Sequence, residues 1–165
     1  VSTECDRIAD QLYRAIEGDA WHGHPVSSLL ADVTSVMADA RPIPGAHTIW
    51  ELVLHLTVWA DVARRRLVGE VLEPTDAEDW PSPADVTPDA WADARASLER
   101  AHADLRRAAL SLGDGHLEDR TPGKPDTLYV MLCGIVQHAA YHGGQIAVLK
   151  RALPILANRP EVGSR

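Results

Sequence analysis

The sequence predicts an all-α protein, a four-helix bundle with long crossover connections. Three observations carry that prediction. Four segments repeat apolar residues at the helical spacing of three and four, each bounded by capping residues, glycine or proline. No segment alternates apolar and polar residues as a half-buried strand does. The connections between the segments are long and unequal, which suits a bundle with crossovers better than an up-and-down pair of hairpins.

The first segment runs from about Thr3 to Glu17, with Ile8, Leu12, Ala15 and Ile16 as its stripe and Gly18 as its stop. The second opens at Thr48-Ile49-Trp50-Glu51, where Thr at the cap and Glu three residues on have the capping-box spacing. Its apolar face is Ile49, Leu52, Val53, Leu56, Ala60, Ala63 and Leu67. Arg64, Arg65 and Arg66 fill its last turns, where cations suit the negative end of the helix dipole, and Gly69 follows. Thr87-Pro88 starts the third, a cap with proline at the first helical position, and Gly113 ends it. Trp91, Leu98, Leu105 and Leu112 form its stripe. The fourth runs from about Thr127 to Arg151, with Pro154 beyond.

Between these, residues 18–47 carry a weak helical patch around Ser27 to Ala40. Residues 70–87 are acidic with three prolines and read as a surface loop, and residues 113–126 are rich in glycine and proline. Residues 1–157 are expected to form a single domain, with 158–165 as a fraying tail.

Length and composition bound the function. With 165 residues the chain can bury one full core, and its hydrophobic and charged contents of 45% and 24% are those of an ordinary globular protein. A net charge of −8, from 16 basic and 24 acidic residues, argues against nucleic acid or an anionic membrane surface as partner. Cys5 and Cys133 stand far apart and outside any CxxC pair, which points to reduced thiols and a cytoplasmic protein. No apolar run follows the N-terminal residues to suggest a signal peptide, and Tyr129 to Val136 is far too short to span a bilayer.

The chemistry concentrates in Gln137-His138-Ala139-Ala140-Tyr141-His142-Gly143-Gly144-Gln145. Residues four apart share a helix face, so His138 and His142 can aim at one ion, with Gln145 on the same stripe between the apolar Met131, Ile135 and Leu149. A polar island inside an apolar stripe costs free energy unless something satisfies it, and a transition metal would. Two imidazoles leave such an ion short of protein ligands, because a catalytic zinc commonly has three. His55, in the apolar stretch from Trp50 to Trp59, and His102, on the stripe of the third helix, are both candidates for the third. His47 precedes a cap, and His22, His24 and His116 fall in loops. Glu51 either closes its own capping box or fixes the tautomer of His55 one turn on. Gln145 is expected to support a ligand rather than act as one. Gly143-Gly144 inside a helix predicts close approach of another backbone, from a bundle neighbour or a second subunit.

Trp21-His22-Gly23, the run from Arg41 to His55, and His138-Ala139-Ala140-Tyr141-His142-Gly143-Gly144-Gln145-Ile146 together resemble the DinB/YfiT-like superfamily of four-helix-bundle metalloenzymes. The last stretch is the most specific, close to that family's H-x-x-Y-H-x-G-Q-I pattern. The resemblance implies a metal site of His55, His138 and His142, with His102 left to the core or to a supporting role. It also implies a divalent transition metal, zinc or nickel, and a homodimer. As activity it implies a thiol-dependent transferase using low-molecular-weight bacterial thiols, or a metal-dependent hydrolase. A non-catalytic metal-binding stress-response protein is the alternative. Three neutral imidazoles leave the ion its full charge, which favours a thiolate or an ionised water near neutral pH. The expected partners are a small-molecule substrate or a bacterial thiol. No catalytic residue identifies itself. Cys133 falls on the side of its helix away from the histidines, and Trp21, His22 and His24 are expected at the mouth of the site.

Overall fold

The computed structural model describes residues 2–157, with side chains through residue 153. Among the described residues there are seven α-helices and no strand: α1 Glu4–Ile16, α2 Val26–Leu30, α3 Ser35–Asp39, α4 Ile49–Arg66, α5 Asp76–Asp79, α6 Pro88–Leu112 and α7 Leu128–Ala157. The four long helices are the four that periodicity predicts. The expected tail at 158–165 lies outside the described residues.

Local chemistry sets most of the boundaries. Capping boxes open α1 at Thr3 and α4 at Thr48, and Thr87 followed by Pro88 opens α6. The Asp114 carboxylate, from a 3₁₀ turn after α6, accepts the N–H groups of Glu4 and Cys5 at 2.9 Å each. That places a negative charge on the positive end of the α1 dipole. The weak patch in the first crossover resolves into α2 and α3. Trp91 Nε1 donates to the Val33 carbonyl at 2.7 Å, and Lys150 binds the Leu29 carbonyl at 2.6 Å and the Asp32 carboxylate. These bonds fasten the crossover to α6 and α7.

Two boundaries differ from expectation. Helix α7 continues past Arg151 and through Pro154 to Ala157. Proline lacks one N–H, so it removes a single helical bond; here it does not end the helix. The acidic segment is not wholly a loop, because Thr75 and Glu78 close a further capping box around the short α5.

The core has two parts stacked along the bundle. One gathers around Trp50, Leu56, Trp91, Leu98, Ala139 and Ile146. The other gathers around Leu12, Ala60, Leu105, Leu132 and Ile135. The changeover falls between Leu56 and Ala60 on α4, Leu98 and Leu105 on α6, and Ile135 and Ala139 on α7. His102 and His138 lie at that level, and His55 directly precedes it. A polar layer therefore crosses the middle of an apolar bundle.

Candidate metal centre

His55 comes from the buried stretch of α4, and His138 and His142 come from successive turns of α7. Helix geometry alone puts the α7 pair on one face. The packing of α4 against α7 brings in the third ring. The Nε2 atoms of His55 and His142 each lie 2.9 Å from Nε2 of His138. One ligand atom from each of the three histidines falls within 4.8 Å of the others, an arrangement that could hold a metal ion.

The tautomers follow from the partners on the far side of the rings. Nδ1 of His55 faces two acceptors of Asp79, the carbonyl at 2.8 Å and Oδ1 at 3.0 Å. It therefore carries the proton, and Nε2 presents a bare lone pair. Nδ1 of His142 donates to Oε1 of Gln145 at 2.7 Å, with the same consequence. His138 can donate its Nε2 proton to one of these lone pairs but not to both. The donor set thus converges more lone pairs than it has protons to share. That is the arrangement a divalent cation satisfies, with outer hydrogen bonds already orienting the rings.

Electrostatics agree. Burial pushes the His138 imidazole down to about 3, with the neighbouring His142 and His55 rings adding to the effect. Burial also lowers His142, although its bond to Gln145 opposes the shift. Neutral rings are the form that binds metal.

Aromatic rings wall the site. The Trp80 indole is sandwiched between His55 and His47, its centroid 3.8 Å from the first ring and 3.6 Å from the second, with planes 3° and 7° from parallel. Trp59 meets His138 edge-on at 6.3 Å, and its Nε1 donates to the Asp79 carboxylate at 2.5 Å. His55 and His138 also border a cavity of about 380 Å³ between α4 and α7, which Trp80 does not line.

The three metal candidates of the sequence thus come together. His102 does not join them; it is 4% exposed in the polar layer on α6 with neither ring nitrogen hydrogen-bonded. Glu51 closes the α4 capping box and binds Arg41 and His47, so it does not support His55. Burial alone would raise the Glu51 carboxyl, but the Thr48 N–H and the Arg41 guanidinium hold it below the usual carboxylate range. Gln145 binds Nδ1 of His142, on the side of the ring away from the cluster. His22 and His24 border the small-residue flank of α7 at Ala140, Gly143 and Ala147 rather than the histidine cluster, and Trp21 is fully exposed. At the glycines α2 approaches with side chains rather than with backbone. A Cβ on Gly143 would lie at an ordinary 3.7 Å from Leu29 and Val26 of α2, and one on Gly144 would meet nothing within 4 Å.

Asp79 and Trp80 are the residues that sequence reasoning missed. The Thr75-x-x-Glu78 spacing marked a structured turn in the acidic segment, but nothing local linked that turn to a histidine 24 positions earlier.

The model of the DinB superfamily matches residues 20–146, a span that includes all three converging histidines. No curated protein and no solved structure matches the chain.

Proposed function

Because the chain belongs to the DinB superfamily and turns three imidazole nitrogens onto one point, we propose that it is a metal-dependent enzyme with His55, His138 and His142 as ligands. The convergence of the three Nε2 atoms carries this reading. Zinc or nickel suits an all-imidazole donor set. A divalent cation bound there supplies the charge that lowers the pKa of a thiol or of water.

The surrounding residues have separate parts in this reading. Asp79 and Gln145 fix the tautomers of His55 and His142. Trp80 covers His55 on one side and keeps water from that face. The cavity bordered by His55 and His138 is where a small-molecule substrate meets the centre. Thiol transfer is favoured over hydrolysis. Asp79, the carboxylate bordering that cavity, has its Oδ1 engaged by both His55 and Trp59, which makes it a weaker acceptor for a proton from water. A homodimer and a low-molecular-weight bacterial thiol as co-substrate complete the reading.

Metal analysis of protein purified without a histidine tag tests it. One equivalent of ion, lost in His138→Ala, is expected; a content that does not fall in that variant would remove the site. A thermal-shift screen then reads the chemistry. Stabilisation by a low-molecular-weight thiol, only in metal-loaded protein, supports the transferase. Indifference to every thiol, ester and amide tested would make this a non-catalytic metal-binding protein.

A further inference from the structure

Arg66 is the charged group that the metal centre leaves unexplained. It lies in the last turn of α4 and is 5% exposed. One terminal nitrogen donates to the Leu72 carbonyl at 2.5 Å, and Cζ stands 5.7 Å from the centroid of the Trp59 ring. Its Nε–H is buried with no acceptor. The acidic side chains of the neighbouring segments are engaged by other cations: Asp61 with Arg64, Glu70 with Arg65, and Glu73 with Lys124. Among the described residues no carboxylate forms an ion pair with Arg66. Both arginines beside it in sequence are exposed enough to be solvated and are paired nonetheless. The buried one is not. A buried cation with no ion-pair partner is disfavoured; Glu73 is near enough for Arg66 to help lower its carboxyl, but it is bonded to Lys124, so an anion in direct contact with Arg66 would come from outside the chain.

The same guanidinium lines the cavity next to the histidines. Along α4 the lining residues are His55, Trp59, Ala63 and Arg66, and along α7 they are His138, Ile135 and Met131. The cavity therefore has imidazoles at one end, apolar walls in the middle and Arg66 at the other end. Eleven residues of helix separate His55 from Arg66, about 16 Å of axial rise, and an arginine side chain leaning back toward the helix N-terminus shortens that span. Its volume of about 380 Å³ suits a small organic molecule.

We propose that Arg66 is the anchor for the carboxylate of a small-molecule acid, whose apolar body lies against Trp59 and Ile135 and whose far end reaches the histidine cluster. Arginine pairs with carboxylate through directional, charge-assisted hydrogen bonds, and the guanidinium N–H groups not spent on Leu72 are the donors for one. A singly charged head group fits better than a phosphate dianion, because there is one cation to meet it and the Asp79 carboxylate borders the same cavity. The proposal rests on the metal reading only for what happens at the far end; the anchor itself needs no ion.

The test uses the full chain stripped of metal with chelator, with 4-phenylbutanoate as probe and its primary amide as the uncharged control. Calorimetry is expected to show the acid binding at least about tenfold more tightly than the amide. The acid, and not the amide, is expected to shift the Arg66 Nε–H resonance, assigned by its loss in Arg66→Lys. Arg66→Met, which keeps the aliphatic stem, is expected to abolish the preference for the acid. If that variant does not fold, the wild-type comparison and the resonance shift decide the matter alone. Equal binding of acid and amide, an unmoved Nε–H resonance, or a preference that survives in Arg66→Met would overturn the proposal. A preference that appears only after zinc is added would overturn it too, since the carboxylate would then be binding the ion. Failure of the metal reading shows separately, as absence of zinc uptake with the acid preference intact.

Discussion

The Trp80 indole lies flat on the His55 imidazole, with centroids 3.8 Å apart and planes 3° from parallel. A residue of the acidic segment thereby holds the plane of a ring whose lone pair points into the histidine cluster. Offset stacking of this kind contributes about 0.5–1.5 kcal/mol beyond buried area. Trp80→Ala is expected to weaken zinc binding roughly three- to tenfold if that orientation is lost. It should also reduce the tryptophan fluorescence change on metal addition to what Trp59, edge-on to His138, contributes. Competition with a chromophoric chelator measures the first; an unchanged affinity would mean that the stack does not orient the ring.

Asp79 reaches Nδ1 of His55 through both its carbonyl and its carboxylate. Removing such an outer partner commonly costs 10–100-fold in metal affinity, and here the backbone carbonyl survives substitution. Asp79→Ala is therefore expected near the lower end, about tenfold, by the same competition assay.

His55 and His102 occupy neighbouring levels of the bundle but face different surroundings. His55→Ala is expected to abolish stoichiometric zinc binding, whereas His102→Ala leaves it intact. Metal content after dialysis measures both, and equal losses would mean that His102 takes part in holding the ion.

Burial pushes the His102 ring from 6.5 down to about 4, with the nearby Leu56 backbone opposing the shift. The unfolded chain protonates this residue near 6.5, so between those values the unfolded state holds more protons than the folded one. Stability is then fully present above about pH 6.5 and falls as pH drops toward 4, by about 3 kcal/mol for His102 alone. His138 adds a change of the same sign in metal-free protein. Urea unfolding in chelator from pH 7.5 to 4.5 should show this slope, and His102→Leu should flatten it.

Glu51 accepts the Thr48 N–H at 2.9 Å as the second half of its capping box. Glu51→Ala is expected to destabilise the protein by about 1 kcal/mol or more while zinc affinity stays within a few-fold. A large loss of metal with little loss of stability would instead tie Glu51 to His55.

What the sequence revealed was mostly what neighbours in sequence decide. Thr48 with Glu51 and Thr87 with Pro88 located the starts of α4 and α6 because caps act over one turn. The α7 histidine pair was legible for the same reason, since two residues one turn apart need no tertiary information to share a face. The third histidine was not. His55 and His102 both sit among apolar neighbours on helices, and only the packing of α4 on α7, or the family resemblance, separates them. Asp79 and Trp80 were harder still, because they act through a fold-back onto a helix well before them. An acidic stretch with three prolines otherwise reads as solvated loop. The end of α7 was misplaced because a lone proline removes only one bond from a long helix.

His55 lies against the Trp80 ring and, with His138, borders the cavity that reaches Arg66. An ion that enters through that cavity would share its doorway with the organic acid. An acid seated on the metal-free protein would slow entry of the ion, and one seated after the ion would slow its escape. A seated acid would act as a stopper, slowing ion exchange without touching the ion's intrinsic affinity. Chelator stripping rates, with and without 4-phenylbutanoate, would reveal that slowing.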